Sequence, residues 1–88
     1  MTDDIHDIYN EYKNEFGNSV LLFRVRSGGC IVLQDDTTIV SKFYNARIHK
    51  RHGIRYMKFS RHEMREAIMR INTRFSVIMT VIDELCLL

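Results

Sequence analysis

Ser60-Arg61-His62-Glu63-Met64, continued to Phe75-Ser76-Val77-Ile78-Met79-Thr80-Val81-Ile82, is the stretch that decides the fold. Ser60 with Glu63 three residues later is a capping box. The serine oxygen accepts from a free helix N–H, and the glutamate reaches back to the cap. Met64, Ala67, Ile68 and Ile71 then recur at helical spacing and predict one apolar face. Asn72-Thr73 closes the helix. The run from Phe75 to Ile82 is apolar without alternation, which predicts a strand covered on both faces. Ile54–Phe59, just upstream, supplies the first strand of a βαβ crossover.

Working back from that unit, Thr2 or Asp3 is the expected cap of a first helix over about residues 3–16. Ile5, Ile8, Tyr9, Tyr12 and Phe16 form its buried stripe, and Gly17 is expected as a left-handed stop. Ser19–Arg26 reads as a strand with Arg24 and Arg26 turned outward at its end. Ser27-Gly28-Gly29 is a turn, and Cys30–Leu33 the returning strand. Asp35-Asp36-Thr37-Thr38 offers a cap and an acidic first turn for a second helix, with Ile39, Val40 and Phe43 facing inward and Asn45 as its stop. Ala46–Lys50 is a short strand, Arg51-His52-Gly53 a turn, and Ile54–Phe59 completes a second hairpin. The order α-β-β-α-β-β-α-β predicts an α+β fold, a small mixed β-sheet packed with about three helices.

The 88 residues, 45% hydrophobic and 27% charged, make one domain, residues 1–88, of ordinary globular composition. No apolar run approaches the ~20 residues of a membrane span. The acidic start, Met1-Thr2-Asp3-Asp4, is unlike a signal or transit peptide. Cys30 and Cys86 form neither a metal spacing nor a disulfide framework, so reduced thiols in a cytoplasm are expected. Leu85, Leu87 and Leu88 give the end of the chain an apolar character suited to docking or self-association.

Charge is unevenly spread. The first sixteen residues hold Asp3, Asp4, Asp7, Glu11 and Glu15 against Lys13. Residues 47–65 hold Arg47, Lys50, Arg51, Arg55, Lys58, Arg61 and Arg65 against Glu63. With His49, the basic stretch is the candidate nucleic-acid-binding surface, because clustered cations displace counterions from phosphates and gain salt-dependent affinity. Alternation along the second hairpin is expected to place Arg47 and His49 on one face with Arg55. A solvated charged face is the bland alternative. Tyr44 and Tyr56 have rings fit for stacking on bases, with core filling as their ordinary role.

Leu21-Leu22-Phe23-Arg24, a glycine-bearing hairpin, and Asp35-Asp36 opening a helix together resemble the start of bacterial mismatch-repair MutS proteins. That family reads Leu-Leu-Phe, then Gly-Asp-Phe-Tyr-Glu, then Asp-Asp-Ala. Ala46-Arg47-Ile48-His49-Lys50-Arg51 falls where the family has a strand ending in Thr-Lys-Arg. Ser60-Arg61-His62-Glu63 falls on its Pro-His-His stretch, and Phe75–Glu84 on its Val-Ala-Ile-Cys-Glu-Gln strand. The resemblance spans roughly residues 7–84 and is to the N-terminal mismatch-recognition domain, here as a stand-alone module.

The resemblance implies a DNA-binding role related to mismatch repair, with one departure. The family wedges a phenylalanine beside the mispaired base and bonds it through a glutamate two residues on. Counting back from Asp35-Asp36, those degenerate positions hold Gly29 and Ile31. Glycine has no ring to replace base stacking at a kinked step, and isoleucine offers no hydrogen bond. No Gly-x-x-x-x-Gly-Lys-Ser/Thr loop is present for ATP.

Other chemistry finds no support in the spacing. His49-x-x-His52 straddles a turn without a partnering cysteine or carboxylate, so no metal is expected. Asp35 and Asp36 are adjacent, point apart and suit capping. Cys30 lacks a neighbouring base. The chain is expected to be a non-enzyme without cofactor, whose partner is nucleic acid, DNA over RNA, held mainly by its backbone. The alternative is a protein–protein interaction module that keeps the fold without binding DNA. It would use the apolar end or an open sheet edge.

Overall fold

A computed structural model describes residues 5–26 and 28–81. The expected capping residues Thr2 and Asp3, the turn residue Ser27 and the apolar end at Leu85, Leu87 and Leu88 lie outside the described residues. The chain is an α+β domain whose eight elements follow the predicted order: α1 (Ile5–Glu15), β1 (Ser19–Arg24), β2 (Cys30–Leu33), α2 (Asp35–Val40), β3 (His49–Arg51), β4 (Ile54–Phe59), α3 (Arg61–Ile71) and β5 (Ser76–Val81). The strands form one mixed sheet of order β3-β4-β2-β1-β5. β1 runs parallel to β5 and antiparallel to β2, while β4 lies antiparallel to both β2 and β3.

The two faces of the sheet hold separate cores, as period-two alternation requires. Val20, Leu22, Cys30, Val32, Met57 and Phe59 meet Met64, Ala67 and Ile71 of α3 and Val40 of α2 on one face. Leu21, Phe23, Ile31 and Leu33 meet Tyr9 of α1 on the other. β1 and β2 are therefore buried on both sides, and each large aliphatic side chain there contributes about 1.5–3 kcal/mol of burial. The Ser60 capping box forms as the sequence predicts: Ser60 Oγ accepts from the Glu63 N–H at 3.2 Å, and Glu63 Oε1 accepts from the Ser60 N–H at 2.8 Å. Those bonds favour the ionised carboxylate and hold the Glu63 carboxyl below its ordinary value.

Several expectations need correction. β5 is a border strand rather than one covered on both faces; Met79 is 39% and Val81 76% exposed. The crossover from β4 passes over β2 and β1 and lands outside β1, where α3 shields only part of one face. α2 ends at Val40 rather than at Asn45, and single turns carry the chain through Tyr44. Its N-cap is Gln34, with φ 51° and no side-chain cap bond. Gly17 is not left-handed; α1 closes instead with the Phe16 N–H donating to Tyr12 O and the Ser19 N–H to Phe16 O.

Asp36 is fully buried instead of capping. Its carboxylate accepts from the Leu21 N–H and from Lys13 Nζ, each at 3.1 Å, and so ties α2 to β1 and α1. Lys13 Nζ also donates to Ser19 O at 2.8 Å. Burial raises the Asp36 carboxyl above its ordinary value, opposed by the Leu21 N–H and the Lys13 charge. Burial, with the Asp36 charge nearby, likewise raises the Tyr9 phenol, whose buried oxygen finds no hydrogen bond of ordinary geometry among the described residues. Asp35, one residue before Asp36, is exposed, so the two carboxylates do point apart.

Candidate nucleic-acid interface

The basic residues sit on a narrow ribbon at one border of the sheet and on the helix that follows it. His52 (φ 52°) and Gly53 (φ 78°) form the two-residue turn between β3 and β4. Positive φ at both positions gives the twist that lets two antiparallel strands stay paired. The register places His49 opposite Tyr56, Lys50 opposite Arg55 and Arg51 opposite Ile54. Directly opposed residues share a face, so His49, Arg51, Ile54, Tyr56 and Lys58 lie on the α1 side of the ribbon. Lys50 and Arg55 lie on the α3 side. The expectation that His49 shares a face with Arg55 is therefore wrong by one residue of register, which moves every side chain across the sheet.

Arg47, His49, Lys50, Arg51, Lys58, Arg61 and Arg65 are all exposed. Arg55 is half-buried and is the one member of the eight with a carboxylate partner among the described residues: its guanidinium meets Asp35 Oδ1 at 2.9 Å. Thr38 Oγ1 lies 3.5 Å from the same guanidinium. With both partners open to solvent, that pair adds little stability, of order 0–1 kcal/mol. On the α1 side the His49 and Tyr56 rings are stacked, with centroids 5.3 Å apart and planes at 24°. Tyr44, by contrast, fills the α3 face: its ring meets Phe59 edge-on at 5.4 Å and lies under the Arg70 guanidinium.

The eight residues do not form one patch. Ile54 and Ser60 stand six residues apart along β4, about 20 Å at strand rise. Lys50, Arg51 and Arg55 thus mark one end of the sheet, and Arg61 and Arg65, one helical turn apart, the other. At that second end the sequence reading missed two residues, Arg24 and Arg26. Arg24 closes β1 on the rung of Cys30, Phe59 and Val81, and Arg26 follows in the β1–β2 turn; both are exposed. Arg61 lies against Gly28 of the same turn, where an added Cβ would come 2.7 Å from its terminal nitrogen. The outward alternation of Arg24 and Arg26 was visible; that β4 brings α3 beside their turn was not.

Gly29 and Ile31, the positions set apart by the resemblance, are both packed into the fold. Gly29 passes so close to β4 that an added Cβ would collide with the Phe59 carbonyl oxygen. Ile31 is buried on the α1 face, and Leu33, the neighbouring apolar side chain, is wholly buried as well. None of the three presents a side chain that can wedge between bases.

No protein-family model, curated protein or solved structure matches this chain. The resemblance to MutS rests on the sequence motifs alone. Among the described residues, no helix is long and apolar enough to cross a membrane.

Proposed function

We propose that this chain is a nucleic-acid-binding module of the MutS N-terminal-domain kind, related to mismatch repair, cytoplasmic and non-enzymatic. Its nucleic-acid ligand is DNA, held mainly by the phosphate backbone and not by the mispaired base. The observation that carries the reading is the β3–β4 ribbon. Lys50, Arg51 and Lys58 there, and Arg47 just ahead of β3, project into solvent with no carboxylate partner among the described residues. Cations already neutralised by the protein release few counterions from a polyanion; these are not neutralised. Gly29 and Ile31 remove the family's means of reading a mismatch, which is why the binding is assigned mainly to backbone. The test is charge reversal at Arg51 and Lys58 together, which lie on the α1 side, across the sheet from the Arg55–Asp35 pair. The variant is expected to fold as the wild type and to lose DNA binding. Unchanged affinity would remove the ribbon from consideration.

A second reading, a protein-interaction module, is favoured by one observation. β5 is a six-residue border strand, Ser76–Val81, without charge or proline, the guards that usually keep an open edge from pairing. The opposite border, β3, carries His49, Lys50 and Arg51. Sedimentation of the wild type beside a Met79→Lys/Val81→Lys variant separates the two readings. A wild-type dimer made monomeric by the substitutions favours interaction, and a monomer in both cases removes self-pairing through β5.

A further inference from the structure

We propose that His49, backed by Tyr56, is a stacking platform for an unpaired base, so that the module prefers single-stranded nucleic acid to duplex. The inference rests on the nucleic-acid reading above and adds the strand form of the ligand. Along the α1 side of the ribbon the register sets three positions in line: Arg51 with Ile54, then His49 with Tyr56, then Lys58. Neighbours on one face are two residues apart, about 6.6 Å at strand rise. A ring pair therefore stands between two exposed cations.

Tyr56 is half-buried and packs with Ile54 against the α1-side core, which fixes its plane. His49 is exposed, stacks on Tyr56 through one face, and has no other ring or hydrogen-bond partner among the described residues. Its outer face is open. Stacking on a ring is sequence-tolerant and needs a base already out of its duplex, whereas phosphates reach Arg51 and Lys58 from either form. The acidic helix α1 packs over β1, two strands inward from the ribbon, so its carboxylates disfavour a polyanion over that part of the α1 face.

Anisotropy titrations with a labelled oligothymidylate and a labelled blunt duplex of equal length test the inference. Wild type is expected to bind the single strand more tightly. His49→Ala should weaken single-strand binding roughly tenfold, the scale of one base–aromatic stack, and duplex binding by a clearly smaller factor. His49→Phe should restore it, and the His49 ring protons should shift upfield on adding the oligonucleotide. Equal single-strand binding by wild type and His49→Ala, with duplex binding retained, overturns the platform and leaves the nucleic-acid reading standing. Parallel loss on both ligands overturns it too, since the ring would then only hold the hairpin together. Failure of the wild type to bind either ligand removes both.

Discussion

A side chain at position 29 has nowhere to go, because its Cβ would run into the Phe59 carbonyl oxygen. Gly29→Phe, which supplies the aromatic of the MutS motif that this stretch resembles, should therefore not create mismatch reading. It should destabilise the fold by about 1–3 kcal/mol or more, the usual cost of forcing atoms into packed space, as chemical denaturation would show. Asp36 is the other residue on which local structure turns. Asp36→Ala strands the buried Leu21 N–H and should cost about 1–3 kcal/mol. Because the Asp36 carboxyl is raised in the folded state, folded protein holds that proton to higher pH than unfolded chain does. The stability this supplies is complete below the ordinary aspartate range and is lost as pH rises through the raised value. Asp36→Asn keeps an acceptor for Leu21 and does not titrate. Its stability relative to wild type should therefore climb between acid and neutral pH; a flat difference would contradict the linkage.

Among the elements, the β3–β4 ribbon allows a clean test of backbone cost. An added Cβ at Gly53 meets nothing within 4 Å, so Gly53→Ala isolates the penalty of a positive φ. It should destabilise by about 1 kcal/mol, and His52→Asn, at the turn's other left-handed position, should stabilise slightly. Order and type of all eight elements were legible in the sequence, because caps, turn glycines and apolar spacing act locally. The Ser60-x-x-Glu63 box and the Met64-Ala67-Ile71 stripe are of this kind. What was not legible depends on which strands become neighbours. An unbroken apolar run marks a covered strand only if the sheet continues beyond it, and β5 stops at the border with Val81 exposed. The His49–Arg55 face was lost to a one-residue register error, and Asp36 to a partner fifteen residues away in β1. The border position also weakens the likeness to MutS, which leaned on a sheltered final strand.

At the scale of the whole molecule, charge is sorted by layer. Exposed Asp7, Glu11 and Glu15 lie on α1, while cations occupy the β3 border and the end where Arg24, Arg26 and Arg61 collect. These two basic groups stand about 20 Å apart, a gap too wide for a small anion to bridge and short enough for a nucleic-acid backbone of the proposed kind to reach across. Binding of this kind takes its free energy largely from released counterions and is indifferent to base pairing errors. Titration of the full chain with labelled matched and singly mismatched duplexes at 50 and 200 mM salt tests this most directly. With about three phosphates neutralised, affinity should fall roughly 40-fold between those concentrations and be the same for both duplexes. No binding at the lower salt, or binding that ignores salt or selects the mismatch, would contradict it.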